Sequence, residues 1–380
     1  MKIIDIKNME INTNNFISEA LFIPNANKCN SNRMVMLCSH IAQAPVLANK
    51  DGGEFPLVNT RFENQIGKHS SGYKRADLDM TVIKFFHRNK NNYYTLVLRE
   101  DGIYDIIERQ ETFWLTEKYG YKYNNYIDNY GEGEIIEKDS VLYANTSYDE
   151  EMNLCYGRNL AAAFFAYKDL THEDAIIISE SAAKKMSYYS VSKCVININT
   201  NDILLNLYGD DENYKPFPNI GEKIKSQTLL ARRRIIYDKI LTDLRDLTTV
   251  KQGDDVFYLK GEVIDIKVYC NEDVDKLRDL PYYSQLIDYI DEDYVFYNEV
   301  VNELYDLVEG KTDLCSNELI RFYNECKKRI DENNYYTYQS NKFDNIMVEF
   351  TVLEEKPVKK GIKMTGRLTL PSLHTLVIMY

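Results

Sequence analysis

Between Tyr93 and Trp114 apolar and polar positions alternate in short runs, YYTLVLREDGIYDIIE, broken at Asp101-Gly102. A period of two puts successive side chains on opposite faces of a strand, and Asp-Gly supplies the positive φ of a tight reversal, so this stretch predicts a β-hairpin. Residues 16–60 are a mixed apolar stretch ending in a loop marked by Asp51-Gly52-Gly53. Residues 118–132, rich in Tyr, Asn and Gly, show no period and read as surface loop. Glu173 to Ile178 reads as a buried strand emerging from a charged loop. Over residues 273–336 the period changes: apolar residues recur at helical spacing among many acids, and the only glycine is Gly310. This predicts an inserted helical module.

A weak internal repeat links IEKDSVLYAN (Ile136 to Asn145), IKSQTLLAR (Ile224 to Arg232) and VKKGIKMTGR (Val358 to Arg367). Each begins β-branched, passes polar residues and then places two apolar positions. Gly133-Glu134 and Gly221-Glu222 precede two of the copies. Repeated strand–turn–strand units predict a β-rich α+β fold with barrel-like modules, not a parallel α/β sheet.

The chain has 380 residues, more than one hydrophobic core usually organises, and 44% of them are hydrophobic. No apolar run reaches the ~18 residues of a membrane helix, and MKIIDIKNME has no signal-peptide core, which predicts a protein that stays in the cytoplasm with no membrane partner. Seven scattered cysteines form no Cys-x-x-Cys pair and lie apart from the five histidines, which predicts reduced thiols rather than structural zinc. The net charge of −13 argues against an autonomous nucleic-acid binder but permits basic residues turned inward within a larger assembly.

The densest chemistry lies in CYGRNLAAAFFAYKDLTHEDAIIISE, Cys155 to Glu180. Glu173 and Asp174 are adjacent acids; on a strand they would point to opposite faces, whereas in a loop either carboxylate could approach a hard cation such as Mg²⁺ or simply remain solvated. Tyr208-Gly209-Asp210-Asp211 resembles the metal-binding turn of RNA-dependent RNA polymerases. It needs apolar strands on both sides, and the downstream ENYKPFPN is polar and proline-broken.

The Gly157–Glu180 segment resembles, in one register, the stretch of DNA-dependent RNA polymerase β subunits that ends N-(F/Y)-E-D-(A/S)-I-x-x-S-E. The resemblance implies that Glu173 and Asp174 support the second magnesium and the incoming nucleotide, with His172 where an aromatic is usual. SNRMVMLCSHIAQAPVL (Ser31 to Leu47) resembles the family's A-N-R-A-L-M-G-x-N-M-Q-R-Q-A-V-P segment, which makes Arg33 the nucleotide-binding arginine and places Gln43 near the RNA; Ser39 and Ala42 replace the family's asparagine and arginine. A guanidinium suits phosphate oxygens because it can donate two parallel hydrogen bonds. PVKKGIKMTGR resembles the loop that touches the RNA 3′ end, which assigns Lys363 and Arg367 to the RNA side, with Ile362 where the family has aspartate and the match ending at Arg367.

Gly133 to Asn145 resembles a family segment just upstream of the acidic pair. Pro218 to Arg232 with Gly261 to Tyr269 resembles the base of the flap, and residues 273–336 stand where the family carries variable insertions suited to protein contact. The resemblance thus implies double-psi-type and hybrid barrel modules with a helical insertion. Residues 1–189 would be barrel core, 190–345 flap-like, 346–367 a return into the barrel and 368–380 a divergent tail. It further implies a split or truncated subunit, like those of giant bacteriophages, found in the bacterial host's cytoplasm or in the virion. Such a chain would act in template-directed RNA synthesis only with β′-type and remaining β chains, DNA, RNA and an initiation factor, with the principal Mg²⁺ ligands in the largest subunit. The alternative is an inactive relic or truncated assembly protein that keeps the fold.

Overall fold

A computed structural model describes residues 30–32, 35–36, 39, 49–55, 73–116, 119–155, 157–162, 176–199, 201–210, 212–235, 246–330, 336–338, 341–342 and 345–362. The elements before residue 146 build two antiparallel sheets. Strands β1 (Tyr73–Arg75), β2 (Met80–His87), β3 (Tyr93–Arg99), β4 (Tyr104–Arg109), β5 (Thr112–Thr116), β6 (Tyr119–Asn125), β7 (Ile135–Ile136) and β8 (Val141–Asn145) are ordered β4-β3-β2-β7 in one and β1-β8-β6-β5 in the other. Met80, Val82, Val97, Ile107, Ile127, Ile136 and Leu142 share one buried core between them.

The hairpin expected from alternation is present. β3 pairs antiparallel with β4 from Tyr93↔Arg109 to Leu98↔Tyr104, and the reversal is closed at Gly102, φ +82°, whose N–H donates to the Arg99 carbonyl at 2.9 Å. The surface-loop reading of 118–132 is corrected. Tyr119–Asn125 is strand β6, paired with β5 on one side and β8 on the other, and it leads into a 3-10 turn at Tyr126–Asn129. Tyrosine at 119, 121 and 123 is itself a period-two pattern with high strand propensity; weighing Tyr as polar hid it. Tyr123 is buried, and its ring lies 4.8 Å from that of Tyr143 on β8.

The weak repeat corresponds to a shared turn. In all three copies the N–H of the fifth residue closes onto the second residue's carbonyl: Ser140 onto Glu137 at 3.1 Å, Thr228 onto Lys225, and Ile362 onto Lys359 at 3.2 Å. The residue just before that donor is left-handed each time, at Asp139 (φ +65°), Gln227 (φ +61°) and Gly361 (φ +90°). A positive φ there is the requirement of this turn geometry, and Gly, Asp or a strained residue meets it.

Beyond residue 187 a three-stranded antiparallel sheet carries the core. Strand β9 (Tyr188–Ile198) precedes β10 (Asp202–Leu204), β11 (Thr228–Arg234), β12 (Asp255–Tyr258), β13 (Glu262–Cys270), β14 (Thr337–Tyr338), β15 (Asn341–Lys342) and β16 (Ile346–Lys356). The order is β13-β16-β9, with β16 paired along its whole length to β9; β10-β11-β12 form a second sheet and β14-β15 a short ribbon. Ile346, Val348, Phe350 and Val352 alternate onto the core, where Phe217 and Leu229 join them. On the opposite face of β16, Glu349 is nearly buried and paired with Lys193 at 3.1 Å.

The helical module is observed as α2 (Val274–Arg278), α3 (Ser284–Val308) and α4 (Asn317–Ile330), following the short α1 (Glu180–Lys185). Phe296, Val300, Leu304 and Val308 on α3, and Leu319, Tyr323 and Cys326 on α4, recur at helical spacing. They close over Phe86 of β2 and Leu96 of β3. Tyr94 of β3 stacks on Phe322 at 4.3 Å and on Phe296 at 5.8 Å. Burying such aromatic side chains stabilises by about 1.5–3 kcal/mol each, so the helices are strongly held to the first sheet. Cys155, Cys194, Cys270, Cys315 and Cys326 are free thiols, and burial raises the pKa of each, Cys270 to about 11 and Cys326 to about 12.

Candidate functional site

Arg33, Gln43, His172, Glu173, Asp174, Lys363 and Arg367 lie outside the described residues. Their chain neighbours are described, and the geometry of these neighbours defines the candidate site. Residues 31–32, 35–36 and 39 are helical and exposed, and the Ser39 hydroxyl donates to the Val35 carbonyl at 2.9 Å. Of the buried strand expected over Glu173 to Ile178, residues 176–178 are described, and they are not in a strand. Residues 176–179 have no regular secondary structure, and Ile176 and Ile177 are exposed, because no neighbouring strand pairs with them. Ser179 instead caps α1, its hydroxyl accepting from Ala182 N–H at 3.1 Å.

Three segments that flank the predicted site residues, 157–159, 187–188 and the end of β16, meet at residues 49–55. Asn49 bridges Tyr188 at the start of β9, and Lys50 N–H donates to Ser187 O at 2.8 Å. The Lys50 ammonium sits 2.9 Å from Glu355 at the end of β16; this hydrogen-bonded carboxylate raises the lysine pKa above its ordinary value. Glu54 N–H donates to Gly157 O at 3.0 Å. The Glu54 carboxylate accepts from Arg158 Nη1 at 3.2 Å and from Asn159 N–H at 3.1 Å. Asn159 Nδ2 returns to Phe55 O at 2.8 Å, and Arg158 Nε donates to Lys185 O at 3.3 Å. The stretch after the Arg33 and Gln43 segment is therefore tied to both flanks of the acidic pair and to the strand leading towards Lys363.

Burial works against ionising Glu54, but the Asn159 N–H and the Arg158 guanidinium outweigh it and hold the carboxyl below its usual range. Gly53 permits the approach: a Cβ there would stand 1.6 Å from the Cys155 carbonyl oxygen. Glu54, Arg158 and Asn159 were not singled out by sequence reasoning. The only signal was the Gly52-Gly53 doublet before an acid, which marks a close backbone approach without naming its partner.

The Tyr208-Gly209-Asp210 turn has a structural role. The Asp210 carboxylate accepts from the N–H groups of Glu212 (3.0 Å) and Asn213 (2.8 Å), Gly209 N–H donates to Asn206, and the Tyr208 hydroxyl donates to Thr228 O. No strand follows it among the described residues up to the 3-10 turn at Lys225–Gln227. Asp254, in a further Gly-Asp-Asp string at Gly253-Asp254-Asp255, holds buried Arg233 through two 2.8 Å bonds. Among the described residues no group of three or more His, Cys, Asp or Glu is placed to hold a metal ion, and no helix is long and apolar enough to cross a membrane.

No protein-family model matches the chain. It is similar to proteins named DNA-directed RNA polymerase subunit beta. The one from Orientia tsutsugamushi (strain Boryong) is 24% identical over 344 residues, 78% of this chain and 23% of that protein. The one from Lactobacillus delbrueckii subsp. bulgaricus is 29% identical over 205 residues, 53% and 15% of the two chains. The one from Desulfatibacillum aliphaticivorans is 26% identical over 226 residues, 58% and 16%. The chain thus spans less than a quarter of the length of these relatives.

Proposed function

We propose that this chain is the central, barrel-and-flap part of the second-largest subunit of a DNA-dependent RNA polymerase, a double-psi-barrel protein that works only in complex. The observation that supports this most is order. The segments bearing Arg33 and Gln43, Glu173 and Asp174, and Lys363 and Arg367 follow one another as they do in the family, and the fold brings their described flanks together at residues 49–55.

In this reading the RNA 3′-hydroxyl attacks the α-phosphate of a nucleoside triphosphate and pyrophosphate leaves. Magnesium, held chiefly by a β′-type partner, would supply Lewis-acid charge at the phosphates. Arg33 donates to triphosphate oxygens, Glu173 and Asp174 orient the nucleotide's cationic surroundings, and Lys363, Arg367 and Gln43 hold the RNA side. Fixed charges aimed at the departing pyrophosphate act chiefly by electrostatic stabilisation. Partners are the β′-type chain, the remaining β pieces, template DNA, RNA and an initiation factor, in a split enzyme of bacteriophage type.

The test is co-expression with the other large-subunit chains of the same genome and extension of an RNA primer on a DNA template. Extension that collapses in Glu173→Ala/Asp174→Ala supports the reading. Co-purification without extension supports the relic instead.

A further inference from the structure

We propose that Arg158 and Glu54 are positioning residues for the nucleotide shelf, forming a clasp that sets the Arg33 segment against the acidic-pair segment; this rests on the polymerase reading above. Arg158 is poorly placed to be a ligand itself. Its side chain is 14% exposed, its Nη1 is committed to Glu54 and its Nε to the Lys185 carbonyl. What it does is join three stretches of backbone that are far apart in sequence: 53–55, 157–159 and the end of α1.

The clasp is more than an ordinary surface ion pair. Both Glu54 oxygens are used, one by a guanidinium and one by a backbone N–H, while the Glu54 N–H and Phe55 carbonyl bond the opposite strand of the clasp. Five hydrogen bonds thus converge on six residues, counting Glu54 N to Gly157 O, Glu54 to Arg158, Asn159 N to Glu54, Asn159 Nδ2 to Phe55 O and Arg158 Nε to Lys185 O. A network held at several points resists sliding in a way that one exposed pair does not. Glu54 lies 11 residues after Gln43, and Arg158 lies 15 before Glu173, so the clasp ties the two site-bearing segments on the upstream side of the acidic pair, as Lys50 N–H to Ser187 O does on the downstream side. Small misplacements of groups that hold a reacting substrate cost rate steeply, which makes such a tie functional as well as structural.

The experiment uses the co-purified complex with this chain carrying Glu54→Ala, Arg158→Ala, both, or Arg158→Lys, with Glu173→Ala/Asp174→Ala alongside. Each single change is expected to raise the KM for the incoming nucleotide by about tenfold while kcat stays within about threefold. The double variant should fall short of the product of the two single effects, because the singles share the Arg158–Glu54 interaction while each also removes one further bond. Arg158→Lys should recover most of the loss. A purely structural role would lower the yield of complex and leave KM alone. If Arg158→Ala prevents assembly, Glu54→Gln, which removes the charge and keeps an acceptor, carries the same KM test. An unchanged KM in the single variants, with extension still lost in the acidic-pair variant, overturns this inference alone. Extension that is absent in the wild-type complex, or indifferent to the acidic pair, overturns the polymerase reading and this inference with it.

Discussion

Replacing Arg88 by methionine isolates a buried electrostatic cluster that joins three parts of the fold. Arg88 follows β2, and its side chain is 8% exposed. Its guanidinium reaches Asp293 on α3 at 3.0 Å, Asp265 on β13 at 3.3 Å and the Ile266 carbonyl at 3.2 Å, so one side chain ties the first sheet, the central sheet and the helical module together. The substitution keeps the apolar stem and leaves two carboxylates, 14% and 19% exposed, without their cation. Removing one partner of a buried ion pair costs about 3–5 kcal/mol, and the residual exposure of both acids puts the loss near the lower end. At 2–4 °C per kcal/mol for a domain of this size, the melting temperature should fall by roughly 6–12 °C at pH 7. Burial already raises the Asp293 pKa despite the opposing pull of Arg88. A carboxyl raised above its unfolded value binds more protons when folded, so its contribution to stability declines as pH rises through that window. Without Arg88 the Asp293 value rises further, and the deficit should be largest at neutral pH and shrink towards pH 4. Arg88→Met/Asp265→Asn/Asp293→Asn, which removes the stranded charges, should regain most of the loss. Melting curves of the full chain at pH 5 and pH 7 check both statements; a pH-independent loss under about 1 kcal/mol would refute the buried-cluster argument.

Three further outcomes follow from the same geometry. Gly53→Ala drives a methyl into the Cys155 carbonyl and should cost about 1–3 kcal/mol, with faster amide exchange at Glu54 and Asn159; unchanged exchange at both would contradict the close approach. Asp210→Ala should leave primer extension by the assembled complex within about twofold of wild type, whereas abolished extension would restore the Tyr-Gly-Asp-Asp turn as a metal site. Hydrogen bonds from the Thr249 and Thr248 hydroxyls and the Thr248 N–H hold Asp246 near a pKa of about 2. Its lowered value stabilises the folded chain above the ordinary carboxyl range and is lost as pH falls through about 2. A side-chain carbonyl NMR titration should show this value, and Thr249→Val should move it upwards.

The sequence was most legible where one physical signal dominated. Asp101-Gly102 between alternating runs marked the β3–β4 hairpin, and the change of period after residue 273 marked α2 to α4. The repeat was visible only as a faint pattern because three different residues, Asp139, Gln227 and Gly361, meet the same left-handed requirement. β6 was missed because its alternation is written in tyrosine, whose ring suits a half-buried pleat while its hydroxyl reads as polar. The strand expected over Glu173 to Ile178 is absent from its described part, 176–178, for a different reason: an apolar run calls for burial, but Ile176 and Ile177 are exposed and pair with no strand among the described residues. For the site, the matched segments named candidate residues, and only the structure supplied the 49–55 loop that ties their flanks together, since no local pattern announces that Glu54 will meet Arg158.

The helical module shows how far charge alone can mislead. Read as sequence, α3 carries Asp288, Asp291, Glu292, Asp293, Glu299, Glu303 and Asp306 with no Lys or Arg, which suggests a free acidic surface seeking a protein partner. In the fold several of these acids find cations within the chain. Lys84 of β2 reaches Glu299 at 3.4 Å and Glu303 at 3.0 Å, Arg88 takes Asp293, and Arg278 of α2 takes Asp291 at 2.8 Å. Two of the three cations come from around β2, some two hundred residues earlier, on the same surface that Phe296 and Phe322 cover. The apolar contact and the charge pairing therefore act in the same direction, and each fixes the register of the other: sliding α3 by one turn along the sheet would expose Phe296 and strand Asp293 and Arg88 together. An acid-only helix is then what docking onto a cation-bearing strand requires, and the module is a brace between the two sheets before it is a surface for anything else.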